Sequence, residues 1–347
     1  MKNTKPILLL ILTAALPALA AAPTSGESPA DHLPPYITQV TWFGERADWS
    51  HDGKKILFLT KTFGDAMELD LTTKHVRNLT AHYRHNGYTR ALYLKNGDIL
   101  LSGPEAFDPK KPGEAREQCW LYVLDKSLSK PAAPLGTKCS EGPAVSRSRM
   151  HIAWTHVAAE YPDDMPADSS RMQEADVVFE DGKPKLANQK FIIDSRDLPF
   201  KCTMETQNFR PPDEQELTFS AYGHQGTDVC GVNLVTKKVT NYSNSPGQYD
   251  EPEGIYPDGQ FTLVECDKQN HQGPNHVDLW KLKLDGSGNY VERLTNFSDY
   301  PGYKASNPVV SDDGKFVAYQ MAHSRDSAGV GHGIFVYDIE KAAAARK

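Results

Sequence analysis

Along most of the chain, short apolar runs come in pairs, and a tight polar turn splits each pair. Residues 47–60 read ADWSHDGKKILFLT, and residues 307–320 repeat the phrase as NPVVSDDGKFVAYQ. Weaker copies stand at 254–264, GIYPDGQFTLV, and at 91–101, ALYLKNGDILL. An Asp-Gly or Asn-Gly pair between two apolar runs predicts a β-hairpin, because these residues tolerate the left-handed backbone that such a turn requires. Two degenerate copies fill the intervals, around Ser148-Arg149 and around Pro212-Asp213-Glu214. The turns then fall near positions 52, 96, 148, 213, 258 and 313, spaced by 44 to 65 residues.

Further strand-like runs follow each hairpin. Residues 66–71, 120–124, 279–284 and 334–339 predict third strands, and residues 76–80, 239–242 and 291–295 predict fourth strands. Four strands at this period make a propeller blade. The sixth repeat lacks a fourth strand, while an unassigned run from Tyr36 to Phe43 precedes the first repeat. That run predicts a ring closed by the N-terminal strand, which removes the open sheet edge. The expected fold is all-β, a six-bladed β-propeller of four-stranded blades with an N-terminal strand completing the last blade.

The phrase WSHDGKKILF from Trp49 to Phe58, with Leu79-Thr80, resembles the repeat of TolB-like six-bladed propellers. The resemblance covers nearly all of the chain beyond residue 20 and implies the fold. It implies no activity, since binders, lyases, hydrolases and scaffolds share this architecture.

Charge and compartment narrow the partners. With 38 Lys and Arg against 45 Asp and Glu, the net charge is −7, which excludes the basic footprint of a nucleic-acid binder. Lys2 and Lys5 precede an apolar run from Ile7 to Leu19, with small residues at Ala18 and Ala20. This order predicts a signal peptide over 1–20, and the run is too short for a membrane anchor. The expected division continues with a linker at 21–34, one propeller domain at 35–341 and a tail at 342–347, in a periplasmic or secreted protein. Export permits disulfides among Cys119, Cys139, Cys202, Cys230 and Cys266. An odd count leaves at least one without an internal partner, and neighbour pairing (Cys119–Cys139, Cys202–Cys230) is the simplest expectation.

In a propeller the residues that enter the inner strands line the channel mouth. Counting back from the turns places Glu45, Thr89, Glu141, Thr206, Glu251 and Ser306 in one ring. Arg46, Arg90, Gly142, Gln207, Pro252 and Asn307 form the next. Carboxylates mixed with guanidiniums suit a hydroxyl-rich or carboxylate-bearing ligand. The densest stretch is YDEPEG from Tyr249 to Gly254, where Asp250, Glu251 and Glu253 crowd one strand entrance. Strand alternation puts Glu251 and Glu253 on one side and Asp250 on the other. A close carboxylate pair can split into one acid and one base, as glycoside cleavage requires. Loops between second and third strands carry His224, His271, His276, His323 and His332. Gly-x-Ser-x-Gly and phosphate-loop motifs are missing from the sequence.

Two enzyme families enter here. Oligogalacturonate lyases hold a metal with histidines, including a His-Pro-His stretch entering the last blade. The matching stretch, YKASNPVV at 303–310, has no histidine, so no metal ligand is carried over and no cofactor is expected. The segments YDEPEGIYPDG (249–259), VECD (264–267), GPNH (273–276), DLWKL (278–282), GYKASNPVVSDDG (302–314) and GVGHGI (329–334) are similar to the C-terminal half of fungal saponin hydrolases and their bacterial relatives. Those enzymes cleave a glucuronic-acid-linked sugar from triterpenoid glycosides. The resemblance implies an exported glycoside hydrolase acting on a uronic-acid-containing or related glycoside. From the chemistry of the residues, Glu251, Glu253 and Asp250 are the catalytic candidates, with Glu205 and Glu265 in reserve. Arg46, Arg90, Arg210 and Lys304 would hold the sugar carboxylate, and Glu205, His271, His276, His323 and His332 would complete the substrate site. The alternatives are a non-catalytic TolB-like propeller that binds a protein or glycan, and a polysaccharide lyase.

Overall fold

The repeated phrase is a hairpin built by its own side chains. Ser50 Oγ donates to Asp52 at 2.8 Å and accepts from the Lys55 N–H at 2.9 Å, while Gly53 takes φ +67°. The last repeat copies this: Ser311 Oγ donates to Asp313 at 2.6 Å and accepts from the Phe316 N–H at 3.0 Å, with Gly314 at φ +72°. A positive φ at this corner is what the glycine supplies.

In the computed structural model, which describes residues 23, 26–139, 142–327 and 329–346, the chain forms six four-stranded antiparallel sheets. The expected signal peptide and Glu141 lie outside the described residues. The inner strands are Glu45–Trp49, Arg90–Tyr93, Ala144–Val145, Thr203–Phe209, Asp250–Ile255 and Tyr303–Val310, one per blade. The N-terminal strand Ile37–Gln39 pairs antiparallel with Gly331–Asp338, setting Ile37 against Tyr337 and Gln39 against Phe335. The ring therefore closes as a six-bladed propeller, with its N-terminal strand as the outermost strand of blade six.

The core explains why the second strands read as unbroken apolar runs. Each is buried on both faces, and alternate side chains enter the two neighbouring blade interfaces. Leu57 and Leu59 pack with Leu101 and Leu124 of blade two, while Ile56 and Phe58 pack with Ala318 and Ile334 of blade six. The same logic holds around the ring, through Trp154 between blades two and three, Phe219 between three and four, Val264 between four and five, and Tyr319 with Phe335 between five and six. The helix Ile339–Ala345 follows the last strand and buries Ala342 in that final interface.

Two sequence expectations change here. Cys202 and Cys230 stand as free thiols, so the second expected disulfide is not formed. The strand Glu216–Tyr222 runs between the two positions. Two strand spacings of roughly 10 Å exceed what a disulfide spans. Cys119 and Cys139 are neighbours across adjacent strands, the Cys139 N–H donating to the Cys119 carbonyl at 3.0 Å. Arg210, expected on the substrate, instead clasps blades four and five. It donates to the carbonyls of Gly259 (2.7 Å) and Leu284 (2.9 Å), to Glu216 (3.1 Å) and to Tyr242 Oη (2.9 Å).

Deleting residues 36–43 leaves the edge of Gly331–Asp338 unpaired and uncovers the last interface. The truncated protein is expected to aggregate or to lose cooperative unfolding in calorimetry. Unchanged melting would contradict closure by this strand.

Candidate functional site

The inner strands do not run straight into the channel. Register shifts fall between Glu45 and Asp48, Thr206 and Asn208, Pro252 and Gly254, and Ser306 and Val309. A bulge at a fixed level bends each strand and re-aims its side chains. Arg46 and Asn307 sit in these bulges with φ of 55° and 48°.

Pairing partners place Glu45, Arg90, Glu205, Glu251 and Ser306 at one level of the channel, opposite Leu59, Ser102, Ser220, Glu265 and Gln320. The expected ring held Thr89 and Thr206 in place of Arg90 and Glu205. The inner strand pair of blade two has no bulge, and the blade-four hairpin through Pro211 and Pro212 is one residue longer, so counting from the turn slips by one in each. Gly142 leaves the space that Glu205 occupies, since a Cβ there would meet Glu205 Cγ at 2.4 Å.

A funnel of about 490 Å³ opens on the face of the strand-entry loops. A second chamber of about 260 Å³ lies toward the hairpin turns. Arg90, Glu253 and Asn307 line both cavities and form the partition between them. Glu253 accepts from Asn307 Nδ2 at 2.7 Å and from Arg90 Nη2 at 3.4 Å.

Glu251 is a carboxylate held by three side-chain donors. It is 7% exposed and accepts hydrogen bonds from Tyr222 Oη, Tyr249 Oη and, at 3.3 Å, Gln207 Nε2. Burial pushes its pKa up to about 7, repulsion from Glu253 adds to this, and the two tyrosines and Arg90 oppose it. Its cross-strand partner Glu265 accepts the Asn307 N–H at 2.6 Å. Burial first, then Glu251 and Glu253, push Glu265 up to about 8. Burial likewise drives the Tyr222 and Tyr249 hydroxyls well above the ordinary tyrosine range. These carboxyls hold protons near neutral pH.

The remaining candidates scatter. Arg46 and Lys304 reach the funnel, where the Arg46 N–H donates to Gln320 Oε1 at 2.5 Å and Lys304 Nζ donates to the Pro274 carbonyl at 2.8 Å. His323 lines the rim, edge-on to Tyr303 with centroids 4.5 Å apart, while His332 pairs with the rim residue Asp326 at 2.5 Å. His271 and His276 belong to neither cavity. Asp250 is fully buried on the opposite side of its strand, bonded by Ser245, and burial raises it to about 6. Sequence reading missed Tyr222. Its signal is its position two residues after Ser220, the residue opposite Glu205.

Glu251, Glu253 and Glu265 present oxygens all within 4.8 Å of one another, a spacing that could hold a hard cation. Among the described residues no other group of three potential ligands is this close, and the five loop histidines do not assemble into one.

Known proteins match this geometry at the level of fold. No family model matches the chain, and no curated protein sequence does. Among solved structures, a gluconolactonase from Xanthomonas campestris superposes with a TM-score of 0.54 at 11% identity, covering 87% of this chain and 88% of that one. An oligogalacturonate lyase from Vibrio parahaemolyticus gives 0.50 at 12% identity, covering 87% and 93%. TolB from Acinetobacter baumannii gives 0.48 at 16% identity over 85% of this chain, which spans 65% of that protein. The first two similarities agree with the propeller fold and reach no further than fold. They do not extend to saponin hydrolases.

The raised carboxyls imply a pH dependence. Each binds its proton more tightly folded than unfolded, where the ordinary value is 4.5. Their contribution to stability is therefore intact below about 4.5 and lost as pH rises through about 7 to 8. Glu265→Gln removes part of that loss. The variant is expected to melt higher than wild type at pH 9 and equally at pH 4, measured by calorimetry; the reverse order would contradict the assignment.

Proposed function

We propose that the funnel is the active site of a glycoside hydrolase that takes a uronic-acid-containing or related glycoside. The observation that supports this most is Glu251, a carboxyl near neutral pKa held by two tyrosines, set beside a second carboxylate at the floor of a polar funnel. In this reading Glu251 protonates the leaving oxygen. Glu253, to which Arg90 and Asn307 both donate, is the base or nucleophile. Arg46 and Lys304 at the mouth pair with the sugar carboxylate, Arg46 offering a planar fork. Carboxyl oxygens within 4.8 Å suit double displacement, which needs a gap of roughly 5 Å, better than direct attack by water, which needs roughly 6.5 Å or more. The product would keep its anomeric configuration.

A non-catalytic reading has one observation in its favour. Trp42 and Phe43, 77% and 43% exposed, stand just before the inner strand of blade one, where Gly44 bridges to His332 at the mouth. An aromatic step there suits a glycan or protein surface.

A screen of nitrophenyl glycosides and uronides tests the reading. Wild type is expected to release nitrophenol from a uronide, and Glu251→Gln to lose on the order of 10²- to 10⁴-fold in rate with unchanged thermal unfolding. Turnover is expected to survive chelation. A rate abolished by EDTA and restored by Mn²⁺ or Ca²⁺ would make Glu251, Glu253 and Glu265 cation ligands instead, and a wild type inert on every glycoside would favour the binding module.

A further inference from the structure

Beyond the partition, the chamber of about 260 Å³ lies on the ring axis between two ionic bridges. On the funnel side Arg90 of blade two stands 3.4 Å from Glu253 of blade five. On the turn side Arg147 of blade three stands 3.4 Å from Asp312 of blade six and 2.7 Å from Asp48 of blade one. Blades two and five, like blades three and six, face each other across a ring of six, so each bridge spans the axis. Between the bridges, Leu92, Val145, Phe209, Ile255 and Val309 give the chamber an apolar belt drawn from five blades. Leu92, Val145, Ile255 and Val309 are half-exposed, while the residues before and after each of them are buried. The apolar surface they leave uncovered faces the chamber, and an apolar guest that covers it is favoured by the hydrophobic effect.

The carboxylates on the wall all have partners. Asp48 pairs with Arg147 and accepts the Tyr93 N–H at 2.7 Å. Asp312 pairs with Arg147 and with His51 at 2.8 Å. Glu214 accepts from the Ser146 and Ser148 hydroxyls at 2.6 and 2.7 Å, and Glu253 accepts from Asn307 and Arg90. A charged guest would lose its water shell and find no opposite charge left over to replace it. Two neutral acceptors remain. Gln207 Nε2 donates to Ser220 Oγ at 3.2 Å, and Asn208 Nδ2 donates to the Glu253 carbonyl at 3.1 Å. Among the described residues neither amide oxygen accepts a hydrogen bond, and both residues line the chamber.

From these walls we infer that the chamber is a second binding site, for a compact, neutral, mostly apolar molecule that carries one hydroxyl donor: a small aromatic or alicyclic alcohol. An apolar cavity of about 150 Å³ holds benzene, and in that proportion this chamber takes roughly ten non-hydrogen atoms. The rings of the guest cover Leu92, Val145, Ile255 and Val309, and its hydroxyl donates to Asn208 Oδ1. Entry is from the turn side, where the Arg147 and Asp312 side chains are each 26% exposed. The funnel stays open to its own ligand, because the guest lies behind Glu253 and Asn307. The site stands whether or not the funnel hydrolyses a glycoside.

Calorimetric titration of the full chain at pH 7 with 2-naphthol, naphthalene and 2-naphthoate tests the site without any glycoside. Saturable one-to-one binding is expected for 2-naphthol, binding about three- to tenfold weaker for naphthalene, which lacks the donor, and none for the charged 2-naphthoate. Asn208→Ala is expected to bring 2-naphthol down to the level of naphthalene. Ile255→Trp fills the chamber and is expected to abolish both. Wild-type protein labelled at its Leu, Val and Ile methyls locates the guest independently of that variant's folding. The methyl resonances of Leu92, Val145, Ile255 and Val309 are expected to shift with 2-naphthol. No saturable binding of 2-naphthol, binding of 2-naphthoate as tight as that of 2-naphthol, a hydroxyl preference that survives Asn208→Ala, or shifts confined to methyls outside the chamber would each overturn the inference.

Discussion

Among the described residues, Glu205, Glu251, Glu253 and Glu265 cluster at the axis of the ring, with the Arg90 guanidinium against Glu205 and Glu253. Burying an ionised carboxylate costs several kcal/mol unless it is paired or protonated. The structure answers in both ways. Tyr222, Tyr249, Gln207 and Asn307 surround the cluster with donors, and the pKa values of Glu251 and Glu265 rise until protons are retained. The blade arrangement serves this crowding. Bulges at matching levels turn the inner strands toward one axis, and six apolar interfaces resist the repulsion that would spread them. Closure by Ile37–Gln39 holds the last of those interfaces.

The partition adds a functional constraint. Arg90, Glu253 and Asn307 separate the funnel from a chamber that mixes apolar residues such as Leu92, Phe209, Ile255 and Val309 with the ion-paired Asp48, Arg147 and Asp312. Arg46 and Lys304 line the funnel together with the proton-bearing carboxyls. The gluconolactonase and oligogalacturonate lyase folds share the ring, but at 11% and 12% identity they inform the architecture alone.

Much of this was legible in the chain. The hairpins announce themselves because Ser-x-Asp-Gly closes its own hydrogen bonds locally, and the missing strand of blade six was visible as a surplus strand at the start. Glu251 and Glu253 stood out through density of charge alone. What depended on bulges was not legible. One unbulged strand and one longer turn moved Arg90 and Glu205 into the ring in place of Thr89 and Thr206. Arg210 looked like a free guanidinium until the fold gave it two carbonyls, a carboxylate and a tyrosine across a blade boundary. Tyr222, on a second strand, carried no charge to mark it.

The central claim is that the buried cluster keeps protons that the unfolded chain releases. Potentiometric titration of wild type and of a Glu251→Gln/Glu265→Gln double variant, each folded and in denaturant, measures this without a substrate. The account predicts that folded wild type binds more protons between pH 5 and 8 than the folded double variant, by more than the two sites account for in denaturant. Equal differences folded and unfolded would mean that both carboxyls are ordinary, solvated acids, and would contradict it.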